Sequence, residues 1–121
     1  MVEDDSFLRS LLAKKLTQEG FEVQEAVSGK EALDGFKDHL PILVLLDLII
    51  PDIDGFHVLE TIRQTESTKN LPVIVLSNIA DKETVERIQH LGADDYLIKA
   101  HFFLDEIVEH INQALEKRHT S

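Results

Sequence analysis

Two hydrophobic periodicities alternate along the chain, and no other feature of the sequence constrains the fold as strongly. Apolar residues recur with helical spacing between positions 7 and 16, and similar stripes follow near positions 32, 58, 85 and 107. Short aliphatic runs, such as PVIVL at residues 72–76, lie between these stripes. Strands that alternate with helices form βαβ units, and continuous aliphatic strands are typical of a sheet covered on both faces. The sequence therefore predicts a doubly wound, mostly parallel α/β fold.

The first strand of this pattern is largely missing from the chain. Only Met1 and Val2 precede the acidic cluster that begins at Glu3, whereas a typical strand has about 5–6 residues. We expect the natural protein to start a few aliphatic residues earlier, or this chain to be truncated or mis-started. If the strand is absent, we expect a gap in the sheet and a less stable protein. A further short strand is predicted to begin at residues 21–23.

The length and composition favour a single domain over residues 1–121. A chain of 121 residues can bury a real core, and its lack of cysteine excludes disulfides and thiolate metal sites. The formal net charge of −11 disfavours direct binding to nucleic acid or anionic lipid. No apolar run is long enough for a membrane span, and no signal peptide is recognisable. We therefore expect a cytoplasmic protein.

The aliphatic run at residues 42–50 contains one carboxylate, Asp47, in surroundings where an ionised group is costly. In open α/β sheets, ligands bind at the carboxyl ends of the strands, and Asp47 lies at or near such an end. Other predicted strand ends carry an acidic pair, a hydroxyl and an ammonium group, which belong to Glu3-Asp4, Ser77 and Lys99. We therefore interpret the aliphatic run as a rigid mount and Asp47 as its reactive tip.

Crowded carboxylates of this kind favour a bound Mg²⁺ ion. Acidic side chains repel one another when they are brought together, and hard oxygen ligands are the ones that Mg²⁺ takes. A carboxylate held beside Mg²⁺ can attack phosphorus and form an acyl phosphate. Lys99 and the metal would then neutralise the transferring phosphoryl oxygens, and Ser77 could donate a hydrogen bond to one of them.

Each of these signals also has a structural explanation when it is taken alone. An aspartate after a strand is commonly a turn or cap residue. The acidic cluster Glu3-Asp4-Asp5 could simply cap the first helix, and a single lysine is most often a surface charge. The joint placement of these groups at strand ends is what favours a functional site.

Four segments carry a resemblance to a known family. They are VEDDSFLR, LLDLIIPDIDG, PVIVLS and GADDYLIK, and they occur in this order along the chain. Together they resemble the acidic pair, the phosphoacceptor segment, the switch-hydroxyl strand and the lysine strand of the receiver domain of two-component response regulators, in its chemotaxis-receiver-like form. The resemblance implies a five-stranded, flavodoxin-like parallel sheet with the strand order 2-1-3-4-5.

The resemblance also implies roles for individual residues. Asp47 would be the phosphoacceptor and one of the metal ligands. Asp4 would bind Mg²⁺ directly, Glu3 mainly through water, and Ile49 through its backbone carbonyl. Lys99 would contact the phosphoryl group.

A conformational switch follows from the same resemblance. Ser77 would move towards the phosphoryl group and Tyr96 would turn inward behind it, which shifts the population of two conformations. The donor would be a histidine on a sensor kinase or on a histidine phosphotransfer protein, and the readout would be an output domain or a target protein. Such a chain would catalyse its own phosphorylation and slow autodephosphorylation without being a conventional turnover enzyme.

The residue after the lysine departs from the family pattern. The family usually has proline there, often joined by a cis bond, whereas this chain has Ala100. A cis bond to a residue other than proline costs about 3–4 kcal/mol. Because Lys99 needs a bend to aim at Asp47, a cis bond between Lys99 and Ala100 is nevertheless expected.

Two isoleucines form a second departure. In the family, the side chains two positions after the acceptor and two after the switch hydroxyl influence how water reaches the acyl phosphate. Here these residues are Ile49 and Ile79, and two isoleucines should exclude water. We therefore predict a long-lived phosphorylated state. The alternative is that both are packing residues.

The segment DIDG at residues 52–55 allows other interpretations. An EF-hand loop in this register would need acidic or similar residues at Ile50 and Thr61, and that interpretation fails. A haloacid-dehalogenase-like phosphatase would need the acidic pair at the end of an aliphatic strand, but Pro51 intervenes. A degenerate receiver that serves only as a protein-binding module is a further alternative, although it would be expected to have lost the acceptor, an acid or the lysine.

Overall fold

The computed structural model describes residues 1–120, with side chains described for residues 1–117. Helices and strands alternate along the chain. They are α1 (Ser6–Gln18), α2 (Gly29–Asp38), β1 (Val44–Leu46), α3 (Gly55–Gln64), β2 (Val73–Ser77), α4 (Lys82–His90), β3 (Asp95–Ile98), a 3₁₀ turn (Lys99–His101) and α5 (Leu104–Thr120). Among the described residues, no helix combines the length and the apolar character that crossing a membrane requires.

Three parallel strands form one half of the sheet, in the order β1-β2-β3. Leu46 pairs with Val75, and Ser77 pairs with Ile98. Because the three strands are parallel and in register, their carboxyl ends lie along one edge of the sheet. The residues that follow β1 and β3, together with the last residue of β2, are therefore neighbours.

Side chains of successive strand residues enter two separate cores. Val44 and Leu46 pack with residues of α2, α3 and α4, whereas Leu45 and Ile74 pack with residues of α1 and α5. Successive strand side chains point to opposite faces, so an aliphatic strand needs helices on both sides. The predicted doubly wound α/β fold is confirmed.

The other half of the sheet consists of very short pairings. Val2 forms isolated parallel bridges with Ala26 on one side and with Leu46 on the other. Glu3 N–H donates to the Ala26 carbonyl at 3.0 Å, and Ala26 N–H donates to the Met1 carbonyl at 2.8 Å. The order across the sheet is thus residue 26, residue 2, β1, β2 and β3. This agrees with the order 2-1-3-4-5, with the first two strands in sequence reduced to single bridges.

The strand predicted at residues 21–23 is not formed, and that prediction is wrong. Its neighbour in the sheet would be the first strand. That strand is reduced to Val2 and the two residues that flank it. Residues 21–23 therefore lack a partner strand along their length. Phe21 and Val23 instead pack, partly buried, against the core beneath α1 and α5.

A cavity of about 210 Å³ lies beside the start of the chain. It lies beside Met1, between residues 21–24 and residues 39–43. The Met1 ammonium group donates to the Gln24 carbonyl at 2.9 Å, and its burial lowers its pKa from 8.0 to about 6. This end of the sheet therefore contains empty space and a desolvated amino group.

Candidate functional site

Lys99 connects two buried carboxylates at the carboxyl edge of the sheet. Its Nζ atom lies 2.8 Å from Asp47 Oδ2 and 2.7 Å from Glu3 Oε1. The carboxyl ends of β1 and β3 position Asp47 and Lys99, and the short pairing of Val2 with both of its neighbours positions Glu3. The structure thus brings together three of the residues that the sequence placed at strand ends.

The three acidic residues at the start of the chain differ in their contacts and burial. Asp5 is the N-cap of α1, because its carboxylate accepts from the N–H groups of Phe7 and Leu8. Glu3 is only 2% exposed and points into the site, whereas Asp4 is exposed. Capping therefore explains the third acid of the cluster and leaves the first two available for other chemistry.

Glu3, Asp4 and Asp47 form a set that could hold a metal ion. Each of them offers one carboxylate oxygen, and these oxygens all lie within 4.8 Å of one another. Carboxylate oxygen is the donor that Mg²⁺ prefers, so the donor set fits this ion. The carbonyl of Ile49 as a further ligand stays a prediction. The Ile49 N–H group donates to Asp47 Oδ1 at 3.3 Å and keeps this loop close to Asp47.

Burial and charge act against each other in this site. Burial raises the pKa of Glu3, the contact with Lys99 lowers it in part, and the nearby Asp47 charge raises it further. Burial alone would lower the pKa of Lys99, but hydrogen bonds to Asp47 and Glu3 outweigh burial and raise it. Lys99 is thus held as a cation, while the carboxylates around it favour additional positive charge.

Asp47 is held by its backbone in a tightly packed position. It is 6% exposed, and its N–H group donates to the Val2 carbonyl at 3.1 Å. Gly55 begins α3 directly against it, since a Cβ atom at position 55 would lie 2.5 Å from the Asp47 carbonyl oxygen. Any side chain at position 55 would displace the backbone of Asp47 and Leu48, so this close packing requires glycine at position 55.

Ser77 and Tyr96 meet at the segment that follows β2. Ser77 is 1% exposed, and its Oγ accepts from the Ile79 N–H group at 3.2 Å. The Tyr96 hydroxyl donates to the Ile79 carbonyl at 2.6 Å, and burial raises the pKa of Tyr96. The two residues expected to form a switch therefore contact the same short segment.

The two isoleucines expected to exclude water have different surroundings. Ile49 is 64% exposed, so packing does not account for it. Ile79 is partly buried and packs against the core that lies beneath α2, α3 and α4. The packing explanation thus fits Ile79 alone.

The peptide bond between Lys99 and Ala100 is trans, since no cis bond occurs in the described chain, and the expectation of a cis bond is wrong. Residues 99–101 form a 3₁₀ turn instead, and this turn still directs Lys99 to Asp47. Ala100 has an N–H group that proline lacks, and it donates to Asn78 Oδ1 at 3.2 Å. The sequence analysis did not single out Asn78, although its position directly after Ser77 was a signal.

The DIDG segment has a structural role. Asp52 has a positive φ of 67°, and its carboxylate accepts from the N–H groups of Gly29 and Lys30 at the start of α2. Asp54 is the N-cap of α3. Both carboxylates are therefore engaged with backbone donors, which gives no support to a phosphatase or calcium-loop interpretation.

Comparison with protein families gives a match over most of the chain. The family model described as "Response regulator receiver domain" matches residues 1–112. The transcriptional regulatory protein AfsQ1 of Streptomyces coelicolor is 38% identical over 99 residues, which cover 82% of this chain and 43% of that protein. The phosphate regulon transcriptional regulatory protein PhoB of Rhizobium meliloti is 36% identical over 119 residues, which cover 97% of this chain and 51% of that protein. The chain thus spans about half the length of these curated relatives.

Solved structures agree with this match. The receiver domain of NtrX from Brucella abortus superposes with a TM-score of 0.84 at 33% identity and covers 95% of each chain. A CheY-like response regulator receiver domain protein from Methanospirillum hungatei gives a TM-score of 0.90 at 25% identity, over 98% of this chain and 93% of that one. The fold, the grouped strand-end residues and the family match lead to one conclusion: this chain belongs to the response regulator receiver domain family.

Proposed function

We propose that this chain, as one domain over residues 1–121, accepts a phosphoryl group on Asp47 and changes conformation in response. The observation that carries the proposal is the contact of one ammonium group, Lys99 Nζ, with Asp47 and Glu3 at 2.8 and 2.7 Å. A nucleophilic carboxylate, a cation for the phosphoryl oxygens and acidic metal ligands thus lie within one small site.

The proposed reaction is an in-line transfer to a carboxylate oxygen. An Asp47 oxygen forms a bond to phosphorus, while the bond from phosphorus to a histidine nitrogen of the donor breaks and that nitrogen keeps the electron pair. Glu3, Asp4 and Asp47 would hold Mg²⁺, which supplies positive charge to the phosphoryl oxygens when it is bound. Lys99 supplies a second positive charge and orients the acceptor before the transfer.

Ser77 and Tyr96 are the proposed switch. Ser77 would donate a hydrogen bond to a phosphoryl oxygen, which requires its hydroxyl to leave the Ile79 N–H group that it now accepts from. Tyr96 contacts the same segment through the Ile79 carbonyl, so a change at Ser77 would alter its packing. Phosphorylation would thereby shift the population of two conformations.

We propose a sensor histidine kinase or a histidine phosphotransfer protein as the donor, and an output domain or a target protein as the readout. The curated relatives are transcriptional regulators of about twice this length, which supports a regulatory output. The net charge of −11 disfavours direct contact of this domain with nucleic acid. A cytoplasmic location is part of the same proposal, because phosphoryl donors of this kind act there.

The experiment that tests this function is a titration with beryllium fluoride and Mg²⁺, followed by amide NMR. Beryllium fluoride imitates a phosphoryl group on a carboxylate, so we expect saturable shifts around Asp47, Ser77 and Tyr96 that require Mg²⁺. A binding-only module would give no response and would overturn the proposal. Release of inorganic phosphate from small phosphate esters would instead indicate the phosphatase alternative.

The prediction of slow autodephosphorylation is tested at Ile49. Replacing its exposed side chain with a polar one, as in Ile49→Asn, would allow an attacking water to be oriented, and we expect hydrolysis to be about tenfold faster. Ile42→Asn is the matched control, because Ile42 is also 64% exposed but lies at the other end of β1. Decay of the phosphorylated protein is followed by mass spectrometry. Equal rates for Ile49→Asn and the unmodified chain would remove Ile49 from this role.

A further inference from the structure

One hydrogen bond joins the segment after β2 to the turn after β3. The Ala100 N–H group donates to Asn78 Oδ1 at 3.2 Å, and the two residues are 22 positions apart in sequence. Asn78 directly follows Ser77, and Ala100 directly follows Lys99. The bond therefore connects the immediate neighbours of two residues that the proposed function places on the phosphoryl group.

The turn that carries Lys99 has few other restraints. Residues 99–101 form a single 3₁₀ turn without a side-chain cap hydrogen bond, and none of its residues is buried. The Lys99 ammonium group reaches inward to Asp47 and Glu3, while Phe102 anchors the following segment to the core beneath α1 and α5. The hydrogen bond from the Ala100 N–H group to Asn78 is thus the first contact after Lys99 in the sequence that holds the turn in place.

This contact exists because the residue at position 100 is not proline. Proline has no N–H group and would leave the side-chain oxygen of Asn78, Oδ1, without this donor. Ala100 supplies the donor, and the trans backbone of the turn directs it at Asn78. The hydrogen bond therefore requires two residue types together: a residue other than proline at position 100 and an amide side chain at position 78.

We propose that Asn78 is a positioning residue, which holds the Lys99 turn in the geometry that the lysine needs to reach Asp47. The inference rests on the proposed function for its effect on phosphorylation, but its structural part does not. Asn78 is exposed and touches none of the three carboxylates through a hydrogen bond, so its effect acts through the backbone of the turn. Because the same segment contains Ser77 and Ile79, the bond also couples the lysine to the proposed switch.

The test replaces the acceptor and the donor in turn. Asn78→Leu keeps the size of the side chain and removes the acceptor, whereas Ala100→Pro removes the donor. One neutral hydrogen bond accounts for about a three- to tenfold change in rate, and we expect each variant to be phosphorylated more slowly by that factor. The double variant should be no slower than the slower single variant, since both changes remove the same bond.

A second readout separates positioning from general stability. The NMR signal of the Lys99 side-chain ammonium reports its contact with Asp47, and we expect it to shift in Asn78→Leu. Asn78→Asp retains an acceptor oxygen but adds a negative charge, so the signal should shift less at low pH, where this carboxyl is neutral, than it does in Asn78→Leu. Asn112→Leu, an exposed amide replaced on α5, is the control and should change neither the signal nor the rate.

The outcomes distinguish this proposal from the proposed function. If the original chain is not phosphorylated at all, the function fails, while the Lys99 signal still tests the positioning role. An unchanged Lys99 signal in Asn78→Leu, or fully additive rate effects in the double variant, would overturn the role of Asn78 and leave the phosphoacceptor proposal intact.

Discussion

The two halves of the sheet differ in how completely they are paired. β1, β2 and β3 form a continuous parallel ladder, and the whole of β2 is buried. On the other side of β1, single bridges at Val2 and Ala26 stand where two strands are expected. A cavity of about 210 Å³ and the Met1 ammonium group lie there instead of packed side chains.

This difference concerns opposite ends of the strands. The site lies at their carboxyl ends, and the incomplete packing lies at the other end. Glu3, Asp47 and Lys99 lie at the carboxyl edge, where the short pairing of Val2 is still present. The cavity lies at the opposite, amino ends of the strands, beside residues 39–43. The contacts of Lys99 with Glu3 and Asp47 are therefore formed although one half of the described sheet consists of single bridges.

The largest expected effect compares a core residue from each half. Ile74 in β2 is fully buried, so Ile74→Ala should lower the free energy of unfolding by about 2–5 kcal/mol. Val23 is partly buried beside the cavity, and Val23→Ala should cost less than about 1 kcal/mol. Urea unfolding measures both. Equal losses would show that the two halves are packed alike and would break the comparison.

An added strand gives the next largest effect. Four β-branched apolar residues placed before Met1 would enter the cavity and remove the buried ammonium group. Burial gains of about 1.5–3 kcal/mol per side chain are largely offset by the entropy of ordering, so we expect a net gain of roughly 2 kcal/mol. A glycine-serine extension of the same length is the control in thermal unfolding. No difference between the two extensions would mean that the cavity does not accept a strand.

The smallest expected effect concerns two helix caps. Asp5→Ala and Ser28→Ala each remove an N-cap, which should cost about 1 kcal/mol of stability. Only Asp5 lies next to the proposed ligands, and its N–H group donates to Glu3 Oε2 at 3.1 Å. Alanine keeps this N–H group, but losing the cap would loosen the backbone that directs it at Glu3, so isothermal titration should detect weaker Mg²⁺ binding in Asp5→Ala alone. A matching loss in Ser28→Ala would point to a general effect of stability.

Much of the fold followed from patterns that are local in sequence. Uninterrupted aliphatic runs indicate strands covered on both faces, and the helical stripe between positions 7 and 16 corresponds to α1. The placement of Asp47, Ser77 and Lys99 at strand ends was predictable because parallel strands end at one edge. These inferences require only periodicity and general rules of topology.

Other features depend on contacts that periodicity does not encode. Residues 21–23 have the composition of a strand, but pairing needs a neighbour of similar length, and only Val2 is available. The backbone at Ala100 could not be predicted from the residue type, because its partner is the Asn78 side chain, 22 positions away. Asp5 differs from Glu3 and Asp4 in role because of its cap geometry.

The most direct test of the central claim is the mass of the intact protein after incubation with a small acyl phosphate donor. The account predicts one added phosphoryl group in the presence of Mg²⁺, none after the metal is chelated, and none in Asp47→Asn. Labelling of Asp47→Asn to the same extent as the original chain would contradict the account.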